Sequence, residues 1–117
     1  MSKLAIIYHN PRCSKSRATL AILDAQNEPF EVIKYLETPP DKQTLQHILS
    51  ALALSPRELM RRNEVEYVEN KLSDESLTND QLIDAMIAYP KLIERPIVLK
   101  GEKVAIGRPP ESVLAIL

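Results

Sequence analysis

The sequence predicts an α/β domain built on one four-stranded mixed sheet, and three observations predict it. Leu4-Ala5-Ile6-Ile7-Tyr8 is a continuous branched apolar run of strand length, the pattern of a strand covered on both faces. A helical period and a second strand-like run follow it at once. Far along the chain, Ile97-Val98-Leu99 and Val104-Ala105-Ile106 flank a Gly-containing turn and read as a β-hairpin. At 117 residues the whole chain, 1–117, is expected to form a single domain with one core.

Each element follows from a local signal. Leu4 to Tyr8 is the first and central strand, broken by the turn His9-Asn10-Pro11-Arg12. Ala18, Ala21, Ile22 and Ala25 then recur at helical spacing, from near Ser14 until the pattern fades at Gln26-Asn27. Phe30 to Tyr35 is the second strand, and strand-helix-strand at this spacing is a right-handed crossover that leaves the two strands parallel.

The middle of the chain is helical. Thr38-Pro39-Pro40-Asp41 reads as a helix start capped by Thr38, with Leu45, Ile48, Leu49 and Leu52 as its apolar stripe. Ser55-Pro56-Arg57-Glu58 and Thr78-Asn79-Asp80-Gln81 read as capping boxes, the second leading into Leu82, Ile83, Met86 and Ile87 before Tyr89-Pro90 stops the helix. After the hairpin, Gly107-Arg108-Pro109-Pro110 turns the chain into a last helix whose inner face is Val113, Leu114 and Leu117. The order βαβ, a helical insertion over about 38–90, then ββα is that of a thioredoxin-like fold with helices on both sides of the sheet.

Composition narrows the function classes. A net charge of −1 gives no general attraction to nucleic acid, and no apolar run approaches the roughly 18 residues that span a bilayer. A turn, not a small-residue cleavage site, follows the first apolar run, so no secretory signal is read. The single cysteine, Cys13, excludes an internal disulfide, which fits a reducing compartment; the cytoplasm is the expected location. Residues 1–23 nevertheless hold Lys3, Arg12, Lys15 and Arg17 and no acid. The lone thiol sits in the basic part of a near-neutral chain.

A thiol reacts as its thiolate, and a helix N-terminus with nearby cations favours that form. Cys13 falls at the predicted strand-to-helix turn, where unpaired backbone N–H groups point at the sulfur and Ser14 and Ser16 offer hydroxyl donors. A lone cysteine is most often a small buried hydrophobe, but Ser14-Lys15-Ser16-Arg17 is too polar for a core. Position 16 is Ser, so no Cys-x-x-Cys pair exists and a reacted thiol must be regenerated by another molecule. Position 19 is Thr where a low-molecular-weight phosphatase loop needs Arg, and the two glycines lie far from any Gly-Lys-Ser/Thr. His9 either favours the thiolate or caps the strand, and His47 reads as a surface residue. No cluster with ligand spacing suggests a metal site.

"YHNPRCSKSR" together with "YLETPP", "ELMRRN", "ERPIVL" and "IGRPPE" resembles the ArsC-type, glutaredoxin-linked arsenate reductases over nearly the whole chain. The resemblance implies a thioredoxin-like fold, the nucleophile at Cys13, a histidine that lowers its pKa at His9 and a hydroxyl near the sulfur at Ser16. It places three oxyanion-holding arginines at Arg61, Arg95 and Arg108, and suggests that Pro96 is cis. Guanidiniums suit that task because their planar forks hold oxyanions and stay protonated, although any one arginine is more often paired with a surface acid such as Glu58, Glu94 or Glu111. The implied reaction is reduction of arsenate or a similar oxyanion by a monomer without a bound cofactor, with glutathione as reductant and glutaredoxin as partner. Two alternatives remain: a glutathione-dependent thiol or disulfide reductase, resembling monothiol glutaredoxins in its Cys-x-x-Ser, and a non-enzymatic Spx-type regulator that binds RNA polymerase. Ser16 in place of a second cysteine argues against the regulator.

Overall fold

The computed structural model of the chain describes residues 4–117, so Lys3 lies outside the described residues. Two compact units make up the chain, one from residues up to Thr38 together with Arg95–Leu117, the other Pro39–Glu94.

The first unit carries the sheet. Strands β1 (Ala5–His9), β2 (Phe30–Lys34), β3 (Ile97–Lys100) and β4 (Lys103–Ile106) stand in the order β2-β1-β3-β4. β1 therefore lies inside the sheet, as its unbroken apolar run requires, parallel to β2 and antiparallel to β3. Gly101 takes φ 65° in the β3–β4 turn, a conformation that costs a glycine little. Helix α1 (Ser14–Ala25) follows β1.

Ala5, Ile7, Leu23, Val98 and Val113 form the buried core of this unit, with Leu20, Ile22, Phe30, Ala105 and Ile116 packed against it. The face that α1 buries is not the expected one. Ser16, Thr19 and Leu23 are buried, whereas Ala18, Ala21 and Ala25 are exposed. An alanine methyl gains little on burial, so Leu23, with Leu20 and Ile22 packed beside it, and two small polar groups with local partners set the orientation. The last segment, Pro110–Ile116, is a 3₁₀ helix with Val113 fully buried and Leu114 exposed, so Leu114 does not belong to the inner face. A threefold repeat eclipses i and i+3, which leaves Val113 and Ile116 on one side.

The second unit is helical: α2 (Lys42–Leu52), α3 (Pro56–Leu59), α4 (Val65–Glu69) and α5 (Asn79–Ala88), then a 3₁₀ turn at Pro90–Leu92. Leu45, Ile48, Leu49, Leu59, Leu82, Ile83, Met86 and Leu92 are buried. The cap of α2 is Asp41, whose carboxylate accepts the Thr44 N–H at 2.8 Å; Thr38 is not the cap. Asp41 follows the two prolines and can present its short carboxylate to the third N–H of the first turn. Both capping boxes form: Glu58 accepts the Ser55 N–H at 2.9 Å, and Gln81 accepts the Thr78 N–H at 2.8 Å. The short helix α4 has no counterpart among the sequence signals, being too short for a period to show.

Candidate active site

The turn between β1 and α1 is built around Asn10. Its side-chain oxygen accepts the Arg12 N–H at 3.0 Å and its carbonyl accepts the Cys13 N–H at 3.0 Å, an Asx-type turn that the Asn-Pro dipeptide favours. The turn delivers Cys13 to the N-cap of α1 with extended backbone, φ −96° and ψ 124°. No acid stands in the first turn of α1, so nothing on the helix competes with a thiolate for its positive end.

Cys13 is 8% exposed. Burial pushes its thiol up, and that effect is outweighed by the backbone N–H groups of Ser16 and Lys15 and by the charges of Arg95 and Arg108. The thiol therefore titrates below its ordinary value. The guanidinium of Arg108 donates from Nη2 to the sulfur at 3.7 Å and from Nε to the Arg95 carbonyl at 2.8 Å. One planar fork is thus tied at one corner to the backbone beside β3 and at another to the Cys13 sulfur.

Ser16 has two separate roles. Its backbone N–H serves the sulfur, while its hydroxyl is within 2.6 Å of His9 Nδ1 and accepts the Asn10 N–H at 3.0 Å. The hydroxyl is thus engaged by the histidine and the turn. His9, 5% exposed at the end of β1, is held below its usual pKa by burial, then by the charges of Lys34, its partner across the strand pair, and Arg17. A neutral imidazole exerts no net charge on Cys13. Its link to the site is the hydrogen bond with the Ser16 hydroxyl.

Arg95 and Arg108 flank the hairpin at its outer ends, and antiparallel pairing of β3 with β4, Ile97 opposite Ile106, brings them together. Both Arg95-Pro96 and Arg108-Pro109 are cis, the first as expected. Gly107 N–H donates to the Pro96 carbonyl at 2.9 Å, closing the base of the hairpin.

Arg61 belongs to the helical unit. Its N–H donates to the Leu92 carbonyl at 2.7 Å beside the bridge of Met60 with Ile93, and its Nη1 is 2.8 Å from Glu64 Oε1. Its acid partner is therefore a residue in the turn before α4. The structure thus gathers Cys13, His9, Ser16, Arg95 and Arg108 within one unit.

Three residues of this arrangement carried no assigned role in the sequence: Asn10, Thr19 and Gly107. The Asn-Pro step was a usable signal for the first, and the scarcity of glycine for the third, since the chain has two. Nothing in the sequence marks Thr19. Among the described residues, no group of three His, Cys, Asp or Glu is placed to hold a metal ion, and no helix is long and apolar enough to cross a membrane.

A family model described as the ArsC family matches residues 8–116. The uncharacterized protein YfgD of Escherichia coli K12 is 53% identical, covering 100% of this chain and 99% of its own length. A protein of Neisseria meningitidis serogroup A named arsenate reductase is 48% identical over 95% of this chain and 96% of its own. Among solved structures, one titled arsenate reductase from Vibrio cholerae superposes with a TM-score of 0.93 at 48% identity, covering 100% of both chains. The fold is thioredoxin-like, as that family's structures are.

Proposed function

The chain belongs to the ArsC family, and we propose that it reduces arsenate to arsenite, with Cys13 as the single nucleophile and glutathione, recycled with glutaredoxin, as electron donor. The observation that carries this reading is the Arg108 guanidinium 3.7 Å from the Cys13 sulfur. A thiolate already facing a planar cationic fork is a nucleophile beside the donors that an arsenate oxygen needs. The relatives named arsenate reductase support the same substrate.

The Cys13 thiolate attacks arsenic, an arsenic–sulfur bond forms, and one arsenate oxygen leaves as water after taking up protons. Arg95 and Arg108, with Arg61 as the third arginine, hold the charge on the remaining oxygens. A glutathione thiol displaces a second oxygen as water, leaving arsenic(V) with two sulfur ligands. A further thiol, from glutaredoxin or a second glutathione, attacks the glutathione sulfur. That sulfur leaves in a disulfide, its bonding pair stays on arsenic, and arsenic falls from the +5 to the +3 state. Water then releases arsenite and returns Cys13. Two thiols oxidised to one disulfide supply the two electrons, so this route needs one protein cysteine, and the chain has one.

In this reading residues 1–117 act as a single cytoplasmic domain and monomer without a bound cofactor, the helical stretch of about 38–90 being an insertion. The test is arsenate-dependent NADPH oxidation by the protein with glutathione, glutaredoxin and glutathione reductase. Turnover that disappears in Cys13→Ser is expected. A folded protein that shows none overturns arsenate as substrate, and turnover retained in Cys13→Ser overturns the nucleophile.

A further inference from the structure

Arg108 reaches the sulfur from the end of β4, and what lets it do so is the residue before it. Gly107 is buried between α1 and the Arg95-Pro96 step. A Cβ added there would collide with Thr19 Oγ1, lie 2.7 Å from Pro96 Cγ and 3.2 Å from Thr19 Cγ2. Real side chains essentially never show the two closer of these approaches, so the two sides would have to part.

Neither side is free to give way. Thr19 is fully buried, and its hydroxyl donates to the Lys15 carbonyl at 2.9 Å, one helical turn back. Lys15 is also the residue whose backbone N–H serves the Cys13 sulfur. Across the contact, Pro96 is buried and its carbonyl accepts the Gly107 N–H at 2.9 Å. The Arg95 carbonyl, one residue earlier, holds Arg108 Nε. A single side-chain-free position therefore lies between the turn of α1 that faces the nucleophile and the backbone that holds the guanidinium.

We propose that Gly107 is a positioning residue whose missing side chain sets the approach of Arg108 to Cys13, with Thr19 as the surface it closes against. The assignment uses the anion site of the proposed function only through Arg108, and its test reads the thiol without turnover. Failure of the arsenate reading therefore leaves it untouched.

The test is Gly107→Ala, read by the pH dependence of Cys13 alkylation with iodoacetamide and by protection of the thiol with arsenate or phosphate. Thermal melting is followed in parallel. The expected result is a folded protein with a thiol pKa moved up toward that of a free cysteine. Anion protection should weaken about tenfold, the loss of one charge-assisted hydrogen bond. Thr19→Ala in the same chain, which removes two of the three crowding atoms, should restore part of both. A folded Gly107→Ala protein with wild-type thiol pKa and anion protection overturns the proposal, even with a lowered melting temperature, because that outcome is packing alone. Should Gly107→Ala not fold, Thr19→Ala and Thr19→Ala/Gly107→Ala are compared instead. A thiol pKa higher in the double variant supports the assignment, and equal values overturn it.

Discussion

Arg108 Nη2 lies 3.7 Å from Cys13 Sγ although 95 positions separate the two residues in the chain. A fixed cation this close to a buried sulfur stabilises the thiolate. Arg108→Ala should keep the fold, raise the thiol pKa and lower kcat/KM for the oxyanion by about 10²- to 10³-fold. The pH profile of alkylation together with steady-state kinetics checks it. An unchanged thiol pKa would remove the electrostatic role.

Ser16→Ala separates a hydroxyl from a backbone N–H. The substitution keeps the N–H that serves the sulfur and removes the oxygen bonded to His9 and Asn10. The thiol pKa should move little, while stability falls by about 1–3 kcal/mol because two polar partners lose their bond in a buried site. Chemical denaturation and the alkylation profile, measured on the same variant, decide it. A large rise in thiol pKa without loss of stability would show that the hydroxyl acts on the sulfur directly.

Titration of His9 and Cys13 gives the stability a predictable slope. Both are depressed in the folded state. The unfolded chain therefore binds more protons between the folded and unfolded values, and stability rises with pH across that window. For His9 the contribution is complete above about 6.5 and is lost as pH falls through its folded value; for Cys13 it is complete above about 8.5 and is lost in the same direction. Denaturation of reduced protein from pH 5 to 9 should show both slopes, and Cys13→Ser should flatten the upper one. A wild-type curve flat above pH 7 contradicts the depressed thiol.

Arg61 is paired with Glu64 at 2.8 Å, both side chains being partly solvent-exposed. Such pairs contribute about 0–1 kcal/mol, so Arg61→Ala should lie within that range in stability. Under its proposed role as third oxyanion arginine, the same variant should raise the arsenate KM. Glu64→Gln, which frees the guanidinium, should not. Equal KM values for wild type and Arg61→Ala would exclude Arg61 from binding.

The strand order along the chain, the parallel first pair, the hairpin, both capping boxes and the place of Cys13 at the strand-to-helix turn were readable in the chain. Each rests on signals within about a dozen residues: an unbroken apolar run for β1, Ser55 and Thr78 with Glu58 and Gln81 three residues on, and a thiol followed by Ser-Lys-Ser-Arg. The end of β4 beside the start of β3 also follows from hairpin pairing, so the meeting of Arg95 with Arg108 was implied by sequence.

What tertiary structure alone decided is which atoms face which. Thr19, not Ala18 or Ala21, is buried on α1, because packing selects by shape and partner where the local period records only apolarity. Whether the Ser16 hydroxyl turns to the sulfur or to His9 depends on where β1 ends relative to α1, and the distance of 2.6 Å settles it for His9. His9 is neutral for a reason no window of sequence contains: burial, with Lys34 opposite it in the neighbouring strand. Gly107 matters only because Thr19 and Pro96, 88 and 11 positions away, close around it. Local chemistry determined what each residue is able to do; the contacts that select among those possibilities are long-range, and arise only when the chain is folded.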